Sequence, residues 1–336
     1  ALGTIAWPFA RTLFTLPLAG ALLLVTAWAL ICAGEPGRGR AWYALAGISF
    51  GLTIATRYEL GLLAIPALLL LWPWRAWWLN TSRPGWRDRL KSLLAFAAPC
   101  AAALVLLVLW PNVLRTGSPW QAGYGGQQSL EAFSPKPYLG IFGLLFSPGF
   151  GLLVYAPPAL AGIAALPVLW QDCRRLGAAA LWLSASSVLF YGAFDVWYGG
   201  FTWGPRYLLA ALPWMCLPLA ALWQRSRSNL LGRLWLLGFA LSGSAVNLLA
   251  VVFDWNRGWQ DHWNLNATLT QITWQPSWSG IAAHLHLLRD WFFQGQGGVD
   301  FYIYAVAGAP AFLGLLCLAA VLAGALAGAY PHAEGR

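Results

Sequence analysis

Charge is scarce in this chain. Of its 336 residues only 9% are Asp, Glu, Lys or Arg, while 59% are hydrophobic and mean hydropathy is +0.60. A typical soluble domain is about a quarter charged, so the balance excludes an ordinary soluble globule. Acids are scarcer than bases: 11 against 20, a net charge of +9. Lysine is nearly missing, with only Lys91 and Lys136. No basic face interleaved with aromatics accompanies the positive balance, which excludes a nucleic-acid partner and leaves topology signals beside a membrane. The five cysteines (32, 100, 173, 216 and 317) stand apart, and none forms a CxxC pair. They read as small core residues, with neither a disulfide framework nor a cysteine metal site expected. No HExxH or other ligand spacing occurs, so no motif calls for a cofactor; a divalent metal stays open only with ligands drawn from elsewhere in the chain. No basic n-region precedes an apolar stretch at Ala1-Leu2-Gly3-Thr4, so no cleavable signal peptide is expected, and the start reads as that of a fragment or a processed chain.

What the chain does have is long apolar runs, among them Leu16–Ile31, Leu93–Trp110, Ala178–Phe190 and Ala311–Ala329. A helix needs roughly 20 mostly apolar residues to cross about 30 Å of hydrocarbon. The runs predict spans over 12–32, 42–56, 60–74, 92–110, 151–170, 178–194, 206–223, 234–253 and 302–328. Those over 42–56 and 60–74 are short, either a broken pair or a tight hairpin. The arginines then alternate with the spans. Segments 33–41, 75–91, 171–177 and 224–233 and the tail carry Arg38, Arg40, Arg75, Arg83, Arg87, Arg89, Arg174, Arg175, Arg225, Arg227, Arg233 and Arg336, all on one side. The positive-inside rule makes that side cytoplasmic. The outer side receives 1–11, the break 57–59, and the loops 111–150, 195–205 and 254–301. The expected fold is therefore all-α: one polytopic transmembrane domain over 1–336 with turn-rich extracytoplasmic loops. Within the last loop a helix over Ile281–Phe293 is predicted from the spacing of Leu285, Leu288 and Trp291/Phe292.

Ionisable groups beside hydrocarbon are functional candidates. Arg57-Tyr58-Glu59 interrupts two apolar runs; at a helix break Arg57 and Glu59 can both turn into a polar cavity, or simply form a turn with snorkelling ends. The densest cluster is Phe194 through Tyr207. It holds Asp195, Trp197, Tyr198, the Gly199-Gly200 pair, Trp203 and Gly204-Pro205-Arg206-Tyr207. Pro205 suits a helix start. Arg206, just inside that start, is disfavoured by the macrodipole and calls for an anion, with phosphate matching its bidentate fork; pairing with Asp195 to pin the loop is the plainer role. The last outer loop adds Asp254, Asp261, His262, His284, His286 and Asp290, whose spacing matches no metal motif.

Four stretches carry a resemblance. They are Gly3-Thr4-Ile5-Ala6-Trp7-Pro8-Phe9-Ala10-Arg11; Thr56-Arg57-Tyr58-Glu59; Phe146-Ser147-Pro148-Gly149-Phe150-Gly151-Leu152 with Tyr155-Ala156-Pro157-Pro158; and Trp197-Tyr198-Gly199-Gly200 through Gly204-Pro205-Arg206-Tyr207. These resemble bacterial membrane glycosyltransferases of the GT-C class, kin of the protein O-mannosyltransferases and of the lipid A aminoarabinose transferase, over nearly the whole chain. The resemblance implies a multi-helix enzyme that takes a sugar from a polyprenyl-phosphate carrier and moves it to a glycan, lipid or protein acceptor at the outer face of the bacterial cytoplasmic membrane. It implies basic residues on the donor phosphate, here Arg206 and Arg57, and an aromatic cleft for sugar and lipid, here Trp197, Tyr198, Trp203 and Tyr207. Asp195 and Glu59 are the acids on hand as catalytic candidates. The family's own base sits in a first outer loop expected upstream of Ala1. Two other functions fit the same sequence: a transporter or lipid flippase, which also uses broken helices, though no inverted repeat is visible, and a non-catalytic membrane scaffold.

Overall fold

A computed structural model describes residues 4–10, 15–35, 38–73, 85–121, 132–253, 256, 258–260 and 265–294. The span predicted over 302–328, together with Asp254, Asp261 and His262, lies outside them. Most of the described residues are helical, and one isolated bridge joins Phe133 to Phe194. Three helices are long and apolar enough to cross a membrane: Thr15–Ala33 (α2), Trp86–Thr116 (α5) and Leu230–Val252 (α13). On α5 the apolar window is almost wholly on the surface, with Leu93, Leu94, Leu106, Leu107 and Leu114 all exposed. Soluble monomers rarely leave apolar patches of this extent uncovered, whereas hydrocarbon accepts them.

Between α2 and α5 run α3 (Ala41–Thr56) and α4 (Tyr58–Leu71), after α1 (Ala6–Ala10) at the start of the chain. Arg57 alone separates them, with an extended backbone (φ −154°, ψ 102°). Tyr43, near the start of α3, meets Trp72, just past the end of α4, with ring centroids 5.5 Å apart. The pair is therefore a tight helical hairpin with Arg57 at its tip. Parallel to α3 lies α5. Their backbones approach so closely that a Cβ on Gly47 would fall 2.0 Å from the Phe96 carbonyl oxygen, and one on Gly51 would fall 2.9 Å from that of Cys100. Gly47 and Gly51, one turn apart, form the small-residue ridge by which apolar helices pack without a hydrophobic driving force. The Thr26 and Ser49 hydroxyls, 2.9 Å apart, link α2 to α3 inside this packing.

The continuous spans expected over 151–170 and 206–223 are each divided. The first becomes α7 (Leu152–Tyr155), α8 (Pro157–Ala164) and α9 (Leu166–Asp172), which follow α6 (Pro137–Phe146). The second, reached after α10 (Arg174–Gly192), becomes a 3₁₀ turn (Arg206–Leu208), α11 (Leu212–Cys216) and α12 (Pro218–Arg225). Proline is responsible. Pro157, Pro158, Pro167, Pro205, Pro213 and Pro218 sit at or beside the new starts, where a missing N–H costs nothing, and cannot continue the preceding helix. In contrast, Pro99 and Pro111 inside α5 do not break it, and the segment Val105–Leu109 between them is a π-turn. The predicted 281–293 helix is present as α15 (Gly280–Gln294), preceded by α14 (Leu269–Trp274).

Two apolar clusters stack along the helices. One gathers Leu30, Tyr43, Phe50, Trp72, Leu183 and Trp214; the other gathers Phe9, Leu144, Phe150, Tyr155, Trp203, Leu208 and Trp259. Helix α10 threads both, contributing Leu183 to the first and Tyr191 to the second. The arginine-bearing connections meet one another at one end: Arg40 pairs with Asp88 at 2.8 Å, and Arg225 with Asp172. Within the second cluster Ser147 is a hub. Its hydroxyl donates to the Thr273 carbonyl at 2.5 Å and accepts the Gly149 and Phe150 N–H groups at 3.2 Å. Ser147→Ala is expected to cost about 2 kcal/mol, since buried backbone donors and an acceptor lose a partner; a lowered apparent Tm in detergent reports it, and an unchanged Tm removes Ser147 from this role.

Candidate functional site

The hairpin tip and the Phe194–Tyr207 loop, far apart in sequence, meet at the end of α10. Tyr191, on the last turn of that helix, donates its phenol to Glu59 Oε1 at 2.9 Å. Glu59 Oε1 also lies 3.7 Å from Arg57 Nη1, each side chain about a quarter exposed. On its other side Tyr191 stacks on Tyr207, with centroids 5.0 Å apart and planes at 9°. The Arg206 guanidinium carbon sits 5.3 Å from the Tyr207 ring centroid, a cation–π distance. A continuous row results: Arg57, Glu59, Tyr191, Tyr207, Arg206. It has a half-buried guanidinium at each end, with the Glu59 carboxylate beside the first of them.

Arg206 is positioned by glycine. Gly199 and Gly200 both have φ of +78°, a conformation that L side chains rarely adopt. Their turn wraps the arginine: a Cβ on Gly199 would fall 2.9 Å from Arg206 Cγ and 3.2 Å from its Nε. Asp195 is exposed at the rim, its backbone held by an N–H donated to the Ala132 carbonyl at 2.9 Å. Tyr198 is half-buried and rests against Phe150, centroids 5.5 Å apart. Burial first, and then the nearby Asp195 carboxylate and Tyr207, push its phenol above the ordinary tyrosine range. Tyr198 therefore stays a neutral hydroxyl, able to donate to an anion, at any pH near neutrality.

The two tryptophans of the cluster face inward. Trp197 is wedged against α6, where a Cβ on Gly143 would fall 2.2 Å from its ring. Trp203 has no exposed surface and packs edge-on against Tyr155 and His284, at 5.2 and 4.7 Å. Trp203 thus offers no face to a ligand here; it locks the loop to the helices behind it. His284 is itself buried, its Nδ1 2.8 Å from the Gly280 carbonyl. Among the described residues no three His, Cys, Asp or Glu side chains gather as metal ligands.

The four stretches of the resemblance converge on this end. A Cβ on Gly204 would meet Tyr155 at 2.8 Å and Ile5 at 3.1 Å, joining the first, third and fourth stretches; Glu59 brings the second through Tyr191. Beside the loop opens a cavity of about 350 Å³ lined by Phe201, Trp259, Asn266, Ala267 and Ile272. The Trp259 ring stacks on Phe150, centroids 5.4 Å apart and planes at 6°. Sequence reasoning did not find Tyr191, the residue that connects the two motifs, nor this cavity. One of 11 tyrosines, Tyr191 carries no local signal except its place at the last turn of a helix that ends at the cluster. No family model, no curated protein and no solved structure matches the chain.

Proposed function

We propose that the protein is a polytopic membrane glycosyltransferase of GT-C type, which moves a sugar from a polyprenyl-phosphate donor to a glycan, lipid or protein acceptor at the outer face of the bacterial cytoplasmic membrane. The observation that carries this reading is the Arg57–Glu59–Tyr191–Tyr207–Arg206 row, at the end of α10 away from Asp172 and Arg225. A 19-residue helix at 1.5 Å per residue is about 28 Å long, close to the thickness of bilayer hydrocarbon. A lipid phosphate entering from the membrane would meet the row at headgroup depth.

Attack by an acceptor hydroxyl on the anomeric carbon breaks the bond to the phosphate oxygen, which leaves with the electron pair. The developing phosphate charge needs fixed positive groups; Arg206 and Arg57 supply guanidinium groups, and Tyr198 a neutral hydroxyl. Glu59 orients Arg57. Asp195, at the rim, is the carboxylate offered for the acceptor's proton. The Phe201–Trp259 cavity provides flat apolar surface for a sugar ring or prenyl unit, while Tyr207, stacked on Tyr191 and under the Arg206 guanidinium, positions that arginine.

The test is photolabelling of the protein in lipid nanodiscs with a diazirine-bearing polyprenyl phosphate. Labelling that maps to Arg57–Glu59 or Gly199–Tyr207 and is competed by unlabelled polyprenyl phosphate supports the reading. Labelling that is spread over the apolar surface and resists competition sinks it. Sugar transfer from a polyprenyl-phosphate donor without any imposed gradient separates the enzyme from a transporter.

A further inference from the structure

The cavity beside the 194–207 loop has walls fixed from separate parts of the chain. Trp259 is held by its stack on Phe150, with planes at 6°. Its ring also meets Phe201, centroids 5.5 Å apart. Ile272, on α14, is pinned against the turn at 147–150. A Cβ on Gly149 would fall 2.2 Å from the Ile272 carbonyl oxygen, and the next carbonyl, that of Thr273, accepts the buried Ser147 hydroxyl. Asn266 has a φ of +55°, the one positive φ outside glycine among the described residues, in a conformation that asparagine tolerates better than most side chains. The capping box of Thr268 and Gln271 fixes the entry of this turn into α14. Asn266 is exposed, and among the described residues its amide has no hydrogen-bond partner. It brings that amide to a hollow whose other lining side chains are Phe201, Trp259, Ala267 and Ile272.

This mixed lining discriminates between the parts of a lipid-linked sugar. A prenyl chain gains from the aromatic walls, but it displaces water from the amide and returns no hydrogen bond. A sugar ring satisfies both kinds of wall. Its C–H face packs on the rings, while one hydroxyl donates to the amide oxygen and its neighbour accepts from the NH₂. Size agrees: the volume of about 350 Å³ lies at the lower end of the roughly 300–1,000 Å³ of small-molecule pockets, the scale of a sugar rather than of a polyprenyl chain. Position agrees as well. Phe201 follows Gly200 directly, and a Cβ on Gly200 would fall 3.8 Å from Arg206 Nη2. One residue separates the cavity wall from the guanidinium, so a phosphate on Arg206 and the sugar bonded to it occupy neighbouring places.

Given the transferase reading, we propose that this cavity holds the donor's sugar while Arg206 holds its phosphate, and that Asn266 is the specificity residue, reading a pair of neighbouring hydroxyls on the ring. The polyprenyl chain then lies outside the cavity, in the lipid.

The experiment is competition against the diazirine-bearing polyprenyl phosphate in nanodiscs. The competitors are bare polyprenyl phosphate and the polyprenyl-phosphate-linked sugars of glucose, mannose, galactose and arabinose. In the wild type at least one linked sugar is expected to compete about tenfold better than the bare phosphate, the worth of one or two hydrogen bonds. Asn266→Gly removes the amide and accepts the positive φ without strain; it is expected to bring that sugar to within about twofold of the bare phosphate. Ala267→Phe keeps the amide but fills the hollow, and is expected to do the same. In both variants bare polyprenyl phosphate is expected to compete as in the wild type, which shows that the fold and the Arg206 site are intact. A sugar advantage that survives in both variants places the sugar elsewhere and overturns the proposal. Equal weakening of bare and sugar-linked competitors in both variants assigns the cavity to the prenyl chain, which also overturns it. So does a wild type that binds bare phosphate specifically yet prefers none of the sugars. Failure of the transferase reading looks different: bare polyprenyl phosphate then does not compete in the wild type at all, and the proposal falls with it.

Discussion

Arg206→Ala is expected to weaken capture of a polyprenyl phosphate about 100-fold, with a matching loss of sugar transfer. A guanidinium in a half-buried site makes charge-assisted, two-pronged hydrogen bonds to phosphate, and removing such a partner costs about 2–3 kcal/mol, or about two decades of affinity. Arg206→Lys keeps the charge but not the fork, and is expected to recover about a tenth of wild-type binding. A third variant separates charge from position. Gly199→Val leaves Arg206 in place, yet its Cβ would fall 2.9 Å from Arg206 Cγ at a φ of +78°. The side chain must move, so Gly199→Val is expected to approach the alanine variant in affinity although the net charge is unchanged. Competition photolabelling in nanodiscs measures all three. If Arg206→Ala binds as well as the wild type while folded, the phosphate assignment fails; if Gly199→Val binds normally, the arginine is not held by the turn as described.

The sequence singled out the residues at both ends of this row but not their junction. Arg57, Glu59, Asp195 and Arg206 stand out because an ionisable group beside an apolar run demands a reason, and the positive φ at Gly199 and Gly200 follows from a glycine pair in a turn-rich loop. What joins them is a tyrosine at the end of a helix, and a lone tyrosine beside apolar residues looks like any interfacial anchor. The apolar runs located α2, α3, α4, α10 and α13 to within a few residues. Over 151–170 and 206–223 they did not mark the breaks, because hydropathy is blind to what proline does to a helix: the side chains stay apolar while the backbone turns. The same blindness hid the role of the tryptophans. Trp197 and Trp203 sit in a loop that looks wet, yet both are drawn inward, one against Gly143 and the other onto Tyr155. A loop that must hold Arg206 still needs that anchoring, because a charged side chain positioned to within a fraction of an ångström requires packed neighbours behind it.

The second large effect is expected at Gly47, remote from the row. Inside a helix, Gly→Ala ordinarily stabilises by about 1 kcal/mol through lower unfolded-state entropy and better propensity. Gly238, on α13, has nothing within 4 Å of where a Cβ would stand, and Gly238→Ala is expected to be neutral or slightly stabilising. Gly47→Ala should have the opposite sign. Its Cβ would fall 2.0 Å from the Phe96 carbonyl oxygen, a backbone atom that can yield only if the whole of α5 moves. Overpacking of this kind costs about 3 kcal/mol or more, against which the propensity gain is small. Apparent Tm in detergent, measured for both variants at one scan rate, is expected to fall by several degrees for Gly47→Ala and to hold for Gly238→Ala. Equal Tm values would mean that α3 and α5 do not touch as the structure has them. The same variant also reports on the site. Helix α3 ends at Arg57, and a rigid helix pushed off α5 at Gly47 carries its tip with it, so Gly47→Ala is expected to weaken polyprenyl-phosphate labelling several-fold, less than Arg206→Ala, while every residue of the row is still present.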